Sequence, residues 1–253
     1  MRFGPAVLLV VIAVIGATGF YSVAPESLEL FADHVVAATL DRPALMLESL
    51  VVEQDIAALP NAASRAVHEA QLVFLLGFAE RGFVSEGSGS EVAADRLFVA
   101  AAELAREANR LEESSTGHRI LADCLNQLLD LRGIGYKMFN MGDAKSAADR
   151  AVELDPENPL ARTAAAAFYS SAPRAFGGDP EKAIQHLEQA TIHRSGRLHV
   201  DFLVHLWSAK VNMRVERIDE ATASFRAAFA IFPENWALAR MAEEAGVSLS
   251  NPQ

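Results

Sequence analysis

The chain is poor in the residues from which chemistry is usually built. It has one cysteine, Cys124, in 253 residues, which excludes an intrachain disulfide and, because Cys124 lies far from the amino terminus, a lipid-modified N-terminal cysteine as well. Flanked by Asp123 and Leu125 in a helical stretch, Cys124 reads as a small buried residue. Cations are outnumbered: 22 Lys and Arg stand against 33 Asp and Glu, a formal charge of −11. Neutralising phosphates takes clustered Lys and Arg, so no nucleic-acid partner is expected. Alternating runs of Val, Ile and Thr are scarce outside the N-terminus, and with them the signature of strands. The histidines closest to a metal set are His186, His193, His199 and His205. His186 and His193 share a helical face, but His199 and His205 are roughly opposed, and neither an i, i+4 pair nor an HExxH pattern occurs. They are read as solvated or capping side chains. Ser114, Ser115 and His118 lack the strand-turn-helix setting of a nucleophile elbow, and Gly133 and Gly135 fall in a helical stretch rather than a phosphate-binding turn. No catalytic residue, metal or cofactor is expected. Trp207 and Trp236 are read as fillers at helix packing points.

What is present is alanine in a repeating register. Ala144, Ala148 and Ala151 are followed by Pro156; Ala183, Leu187 and Ala190 by Ser195; Ala221, Phe225 and Ala228 by Pro233. The anchors 144, 183 and 221 lie 39 and 38 residues apart, the range of one helical hairpin stacked on the next. Positions i, i+4 and i+7 share a helix face, so small residues at both ends let a neighbouring helix come close while the middle one fills the gap. Leu154 to Asn158 and Ile231 to Asn235 each place a helix-breaking proline and a capping residue at the end of the stripe. An alanine-rich helical bundle without repeats would share the stripes, though not the two matching stops. Upstream, Ala94, Phe98, Ala101 and Leu104 repeat the spacing without a proline, as a divergent unit would. At 51% hydrophobic the chain has the material for a sizeable core, and the fold class expected is all-α, stacked antiparallel helical hairpins behind an N-terminal transmembrane or signal helix.

The runs AKSAADRAVELDPENP (144–159), GDPEKAIQHLEQA (178–190) and DEATASFRAAFAIFPEN (219–235) resemble second helices of tetratricopeptide (TPR) repeats. The resemblance covers about half the chain, residues 117 to 242. The first helices lack the family's Trp, Leu-Gly and Tyr signature, and the period exceeds the usual of roughly 34. One loop departs from simple repeat grammar: Pro173, Arg174, Ala175, Phe176, Gly177, Gly178, Asp179, Pro180. Turn and cap chemistry explains the glycines, Asp179 and Pro180. Arg174 and Phe176 suggest a loop folded onto the array or onto a ligand, so Arg174, Phe176, Gly177, Gly178 and Asp179 form the candidate partner or ligand loop. A similar proline-to-Gly-Gly-Asp insertion occurs in exported repeat proteins that resemble the T-component associated with tripartite (TRAP) periplasmic transporters. Those are typically lipid-anchored, and this chain has no cysteine for it.

From Gly4 to Val23 the chain carries no charge and is mostly Ala, Val, Leu, Ile and Phe, enough to cross or nearly cross a hydrocarbon layer. Arg2 precedes this run; Glu26, Glu29 and Asp33 follow it, and the next arginine is Arg42. That asymmetry predicts an exported body. Ser22, Val23 and Ala24 have the small-x-small form of a processing site, but Pro25 would then be the first mature residue, and an uncleaved anchor is favoured. The expected organisation is a membrane anchor or signal over 1–24, a juxtamembrane helical region over 25–60, divergent hairpins over 61–116, TPR-like repeats over 117–246 and a tail over 247–253. Helices are predicted near 41–60, 64–81, 92–111, 118–139, 143–153, 160–172, 180–193, 198–215, 219–232 and 236–245, with a flexible Gly/Ser loop over 82–91. The resemblance implies a non-enzymatic, membrane-anchored scaffold of the bacterial inner membrane, its body in the periplasm, binding a cell-envelope protein or peptide in its groove. The alternatives are a small-molecule-binding accessory of a TRAP-type transporter, in which Arg174 pairs an organic anion and Phe176 excludes water, and an enzyme whose site carries no familiar pattern. With cleavage, the body would instead be secreted or periplasmic. Oligomeric state is left open.

Overall fold

The computed structural model describes residues 24–38 and 41–249. The anchor or signal expected over 1–24 lies, but for Ala24, outside them, as do the last four residues of the tail. Among the described residues no helix is long and apolar enough to cross a membrane. They are all-helical: α1 (Glu26–Ala37), α2 (Arg42–Ala57), α3 (Ala62–Ser85), α4 (Glu91–Leu111), α5 (Ser115–Leu131), α6 (Ile134–Leu154), α7 (Pro159–Ser171), a 3-10 turn (Arg174–Phe176), α8 (Pro180–Ile192), α9 (Leu198–Arg214), α10 (Ile218–Ile231) and α11 (Trp236–Glu244). Short polar side chains set where most of them begin. Asp41, Asn61, Ser90, Ser114, Asn158, Asp179 and Asn235 each accept from a backbone N–H of the first turn that has no helical partner.

The helices pack as successive pairs, α3 with α4, α5 with α6, α7 with α8 and α9 with α10. The first helix of each pair also touches the first helix of the next, along the series α3, α5, α7, α9. The alanine stripes lie in these contacts. Ala144, Ala148, Ala151, Ala183, Leu187, Ala190, Ala221, Phe225 and Ala228 are all buried, while Pro156 and Pro233 sit exposed in the turns that follow. Central α7 carries this furthest. Ala161 and Ala164 through Ala167 are buried with Thr163, Phe168, Tyr169 and Ser170, and side chains that small let neighbours close on several faces of one helix at once.

The two ends of the described chain meet. α1 packs on α9, and α11 reaches α3. Val36 and Ala37 of α1 share a core with Phe202, Leu206, Phe225, Phe232 and Leu238, and Leu28, Phe31 and Val35 share another with α2 and α3. Polar contacts fasten the same seam. Asp33 Oδ1 accepts from His199 Nδ1 at 2.7 Å and from the His199 backbone N–H at 2.9 Å. Arg197 pairs with Glu29 at 2.7 Å, and buried Asn235 donates from Nδ2 to the carbonyl of Val36. Within the region expected as juxtamembrane, Glu26–Ala37 is therefore a helix whose inner face belongs to the core.

Two sequence expectations are corrected here. The helix predicted over 118–139 breaks at Arg132–Gly133, and α6 runs from Ile134 through Gly142 into the segment expected as a separate helix. The break is pinned by a bidentate pair, Arg132 Nε and Nη2 on the Asp95 carboxylate at 2.6 and 2.7 Å, with the Arg132 guanidinium 4.8 Å from the Tyr136 ring centre. Gly133 is thus the N-cap position of α6 rather than a helical residue. The segment 82–91, expected as a flexible loop, is helical to Ser85 and then tied down. Phe83 O accepts from the backbone of Ser88 and Gly89, Glu80 accepts from Ser90 N–H, and Arg42 binds both Glu80 and Ser88 O.

Candidate functional site

The loop picked out from sequence is built as a turn. Asp179 caps α8 by accepting from Glu181 and Lys182 N–H, and its own N–H donates to Tyr169 O at 2.8 Å. Gly177 has φ +89°, and a Cβ on Gly178 would fall 1.8 Å from Ala172 O, so both positions require glycine. Arg174 and Phe176 are exposed on the 3-10 turn, and among the described residues Arg174 makes no ion pair. The loop lies over a half-buried cluster: Lys145 pairs with Asp149, the Tyr169 hydroxyl donates to Asp149 and accepts from Lys182, and the His186 ring stacks on Tyr169 with centroids 5.5 Å apart. Neither His186 nitrogen has a partner, and burial pushes its pKa down to about 4. These residues knit α6, α7 and α8 together.

Two of the four histidines depart from the reading of solvated or capping side chains. His186 and His199 are buried, because one stacks inside the hairpin cluster and the other closes the seam with α1. His193 is the C-cap of α8 and His205 meets Arg194 at 2.8 Å. Cys124 is fully buried, and its surroundings push the thiol upward in pKa; Ser114 is a helix cap.

The concave feature sequence reasoning missed lies on the inner side of the first helices. The four first helices, α11 and the start of α6 line a cavity of about 130 Å³. Each contributes one face: Phe78 and Arg81 from α3, Asn126, Gln127 and Asp130 from α5, Lys137 and Met141 from α6, Ala167, Phe168 and Ser171 from α7, Leu203, Leu206, Trp207 and Lys210 from α9, and Trp236, Arg240 and Met241 from α11. Trp207 and Trp236 are the chain's two tryptophans, and besides packing they form part of this wall. Trp236 gets there because Gly82 has no side chain: a Cβ would meet its indole Nε1 at 2.9 Å. Its ring also packs on Phe78, centroids 5.7 Å apart.

The wall carries four cations, Arg81, Lys137, Lys210 and Arg240, and one carboxylate, Asp130. Lys210 Nζ stands 4.3 Å from the Trp207 ring centre and the Arg240 guanidinium 5.4 Å from that of Trp236. Arg81 donates to Gln127 Oε1 at 3.0 Å, and Arg240 reaches Glu244 at 3.7 Å. Burial lowers the pKa of Lys210, with Arg240 and Arg214 adding to the effect and Asp130 and Glu244 opposing it. Burial likewise lowers that of Arg81. Asn126 Nδ2 is buried without a hydrogen-bond partner, a donor whose desolvation is uncompensated. The arrangement can hold an acceptor-rich molecule against aromatic faces. A second cavity, about 400 Å³, lies beyond Trp236 among α1, α2 and α3, but its polar groups are engaged with one another: Asp41 caps α2, Arg42 binds Glu80, and His34 meets Glu48.

Compared with known proteins, the chain matches no family model and no curated protein.

Proposed function

We propose that this chain is a non-enzymatic binding module of the TPR-like kind, a turn of stacked helical hairpins closed on itself, exported and held at the membrane by its N-terminal apolar run, and that it takes a small ligand on the inner side of its first helices. The observation that carries this reading is the convergence of α3, α5, α7, α9 and α11 on one cavity with aromatic walls and an unsatisfied buried donor. In a stack of hairpins the inner face belongs to the first helices, which is where such folds receive their ligands. Here α11 against α3 and α1 against α9 draw that face in to a cavity of about 130 Å³, room for a small organic molecule and too little for a helix. Membrane tethering and a periplasmic body remain the reading of the charge asymmetry around residues 4–23. With them goes the resemblance of the Pro173–Asp179 loop to transporter-associated T-components, which makes an accessory role in small-molecule uptake the favoured setting.

The test is isolation of the full-length chain from its own envelope in mild detergent, followed by denaturation and mass analysis of what is released. A stoichiometric small molecule supports the reading; a chain that is repeatedly free of one, and that binds nothing from a metabolite library, overturns it. A second reading, docking of an envelope protein, is favoured by the outer face of α2, where Met46, Leu47, Leu50 and Val51 are exposed, Leu47 at 67%. In-cell crosslinking from that face, with identification of a stoichiometric partner, separates the two.

A further inference from the structure

We infer that the ligand of the central cavity is a small organic anion, its charged head met by Lys210, Lys137 and Arg81 and its apolar body laid against Trp207 and Trp236. This rests on the binding function proposed above and specifies its chemistry. The chain as a whole carries a formal charge of −11, yet the cavity wall holds four cations and one carboxylate, so the sign of the site opposes that of the molecule around it. Two of the cations lack carboxylate partners. Lys137 and Lys210 make no ion pair among the described residues, and Arg81 spends one N–H on a neutral amide. Arg81, Lys137 and Lys210 are half-buried, and drawing a cation even partly out of water costs free energy that an opposite charge offsets.

A second observation points the same way. Asn126 Nδ2, a hydrogen-bond donor, is buried in this wall without an acceptor. A carboxylate or phosphate oxygen accepts hydrogen bonds and donates none when ionised, so one such group satisfies the orphaned amide and the ammonium of Lys210 together. Asp130 argues against a second cation as occupant being needed: one carboxylate already faces four positive groups, and another anion still meets net positive charge. The aromatic groups beside these cations supply the body's contacts. The two indoles, Phe168 and Leu206 present flat and apolar surface suited to a ring or short hydrocarbon chain.

Both tryptophans of the chain line this cavity, and Trp236 also borders the second one, so tryptophan fluorescence, excited beyond the tyrosine band, reads binding and the lysine variants below assign it to this cavity. The probes are phenylacetate and its neutral near-isostere phenylacetamide, titrated into the full-length protein at constant ionic strength. The expected result is saturable quenching by phenylacetate, with phenylacetamide at least about tenfold weaker, the scale of one charge-assisted contact. Lys210→Met is expected to weaken phenylacetate by about tenfold and leave phenylacetamide unchanged, with the circular dichroism spectrum retained. Lys137→Met, near the start of α6, repeats the test at a position where no partner is lost. Equal affinity for the two probes, or variants that bind both as before, overturns the anion assignment and leaves the cavity as a binding site. No response to either probe also overturns the anion assignment as made here, while the binding reading is decided separately by the release experiment above.

Discussion

His186 shows how far a single side chain can depart from what its neighbours in sequence suggest. It is buried, stacked on Tyr169, and bonded through neither nitrogen, so its charged form is disfavoured and the folded pKa falls from 6.5 to about 4. In the unfolded chain it protonates near 6.5. Between those values the unfolded state binds the extra proton, and stability falls as pH is lowered. At pH 5 the cost is about 2 kcal/mol. His186→Phe keeps a flat ring and needs no proton; urea unfolding should show it more stabilised, relative to the parent, at pH 5 than at pH 7.5 by about that amount. A difference that does not change with pH would show that the imidazole is not buried neutral. Gly178 makes the complementary case. Gly178→Ala drives a methyl group into Ala172 O and is expected to cost about 3 kcal/mol or more, whereas Arg174→Ala in the same loop, exposed and unpaired, should stay within about 0.5 kcal/mol. Thermal melts of the two variants side by side check the pair.

At the scale of elements, caps and stripes were legible because both are local. Asn158 and Asn235 follow Leu154 and Ile231 at fixed offsets in sequence, and each satisfies first-turn N–H groups of the helix it opens. Asn235 also does something its offset does not reveal. Its Nδ2 donates to Val36 O, on the first described helix of the chain. Asn235→Asp keeps an acceptor for the cap and loses the donor, placing a carboxylate against a carbonyl. Asn235→Asp should therefore be destabilised by about 2 to 4 kcal/mol where Asn158→Asp changes little, because Asn158 Nδ2 meets the Ser115 hydroxyl, which can turn and donate to a carboxylate as a carbonyl cannot; equilibrium unfolding of both compares them. The misplaced break between α5 and α6 has the same origin in reverse. Asn140 to Asp143 has turn-like composition, but Arg132 is held by Asp95 of α4, and a contact between helices decided where the chain turns.

For the whole molecule the decisive feature is the seam between α1 and the α9 to α11 end. It joins residues far apart in sequence through Asp33 and His199, Glu29 and Arg197, and the shared core around Phe202 and Phe232. Were the stack open, α1 would be dispensable to the distant hairpins. With the seam closed, a double-mutant cycle of Asp33→Asn and His199→Gln should return a coupling energy of about 1 kcal/mol or more, and the single variants should lower the unfolding midpoint of the whole chain cooperatively instead of releasing one end. Additive effects in that cycle would mean that the Asp33–His199 pair adds nothing to the packing of the seam. Closure also matters for the cavity, since α11 supplies Trp236 and Arg240 only while it rests on α3.

By itself the sequence determined the helical state, the hairpin pairing and the small-residue faces, because periodicity, capping and alanine content act within a turn or two of the chain. The tertiary structure alone decided that the ends of the described chain meet, that His186 and His199 are buried, and that Trp207 and Trp236 face a shared space. It alone gathered Arg81, Asn126, Lys137, Lys210 and Arg240 around one cavity. These come from five helices, one from each, and on each they look like ordinary surface residues; no local spacing joins them, and their opposition to the chain's overall charge exists only once the helices have packed.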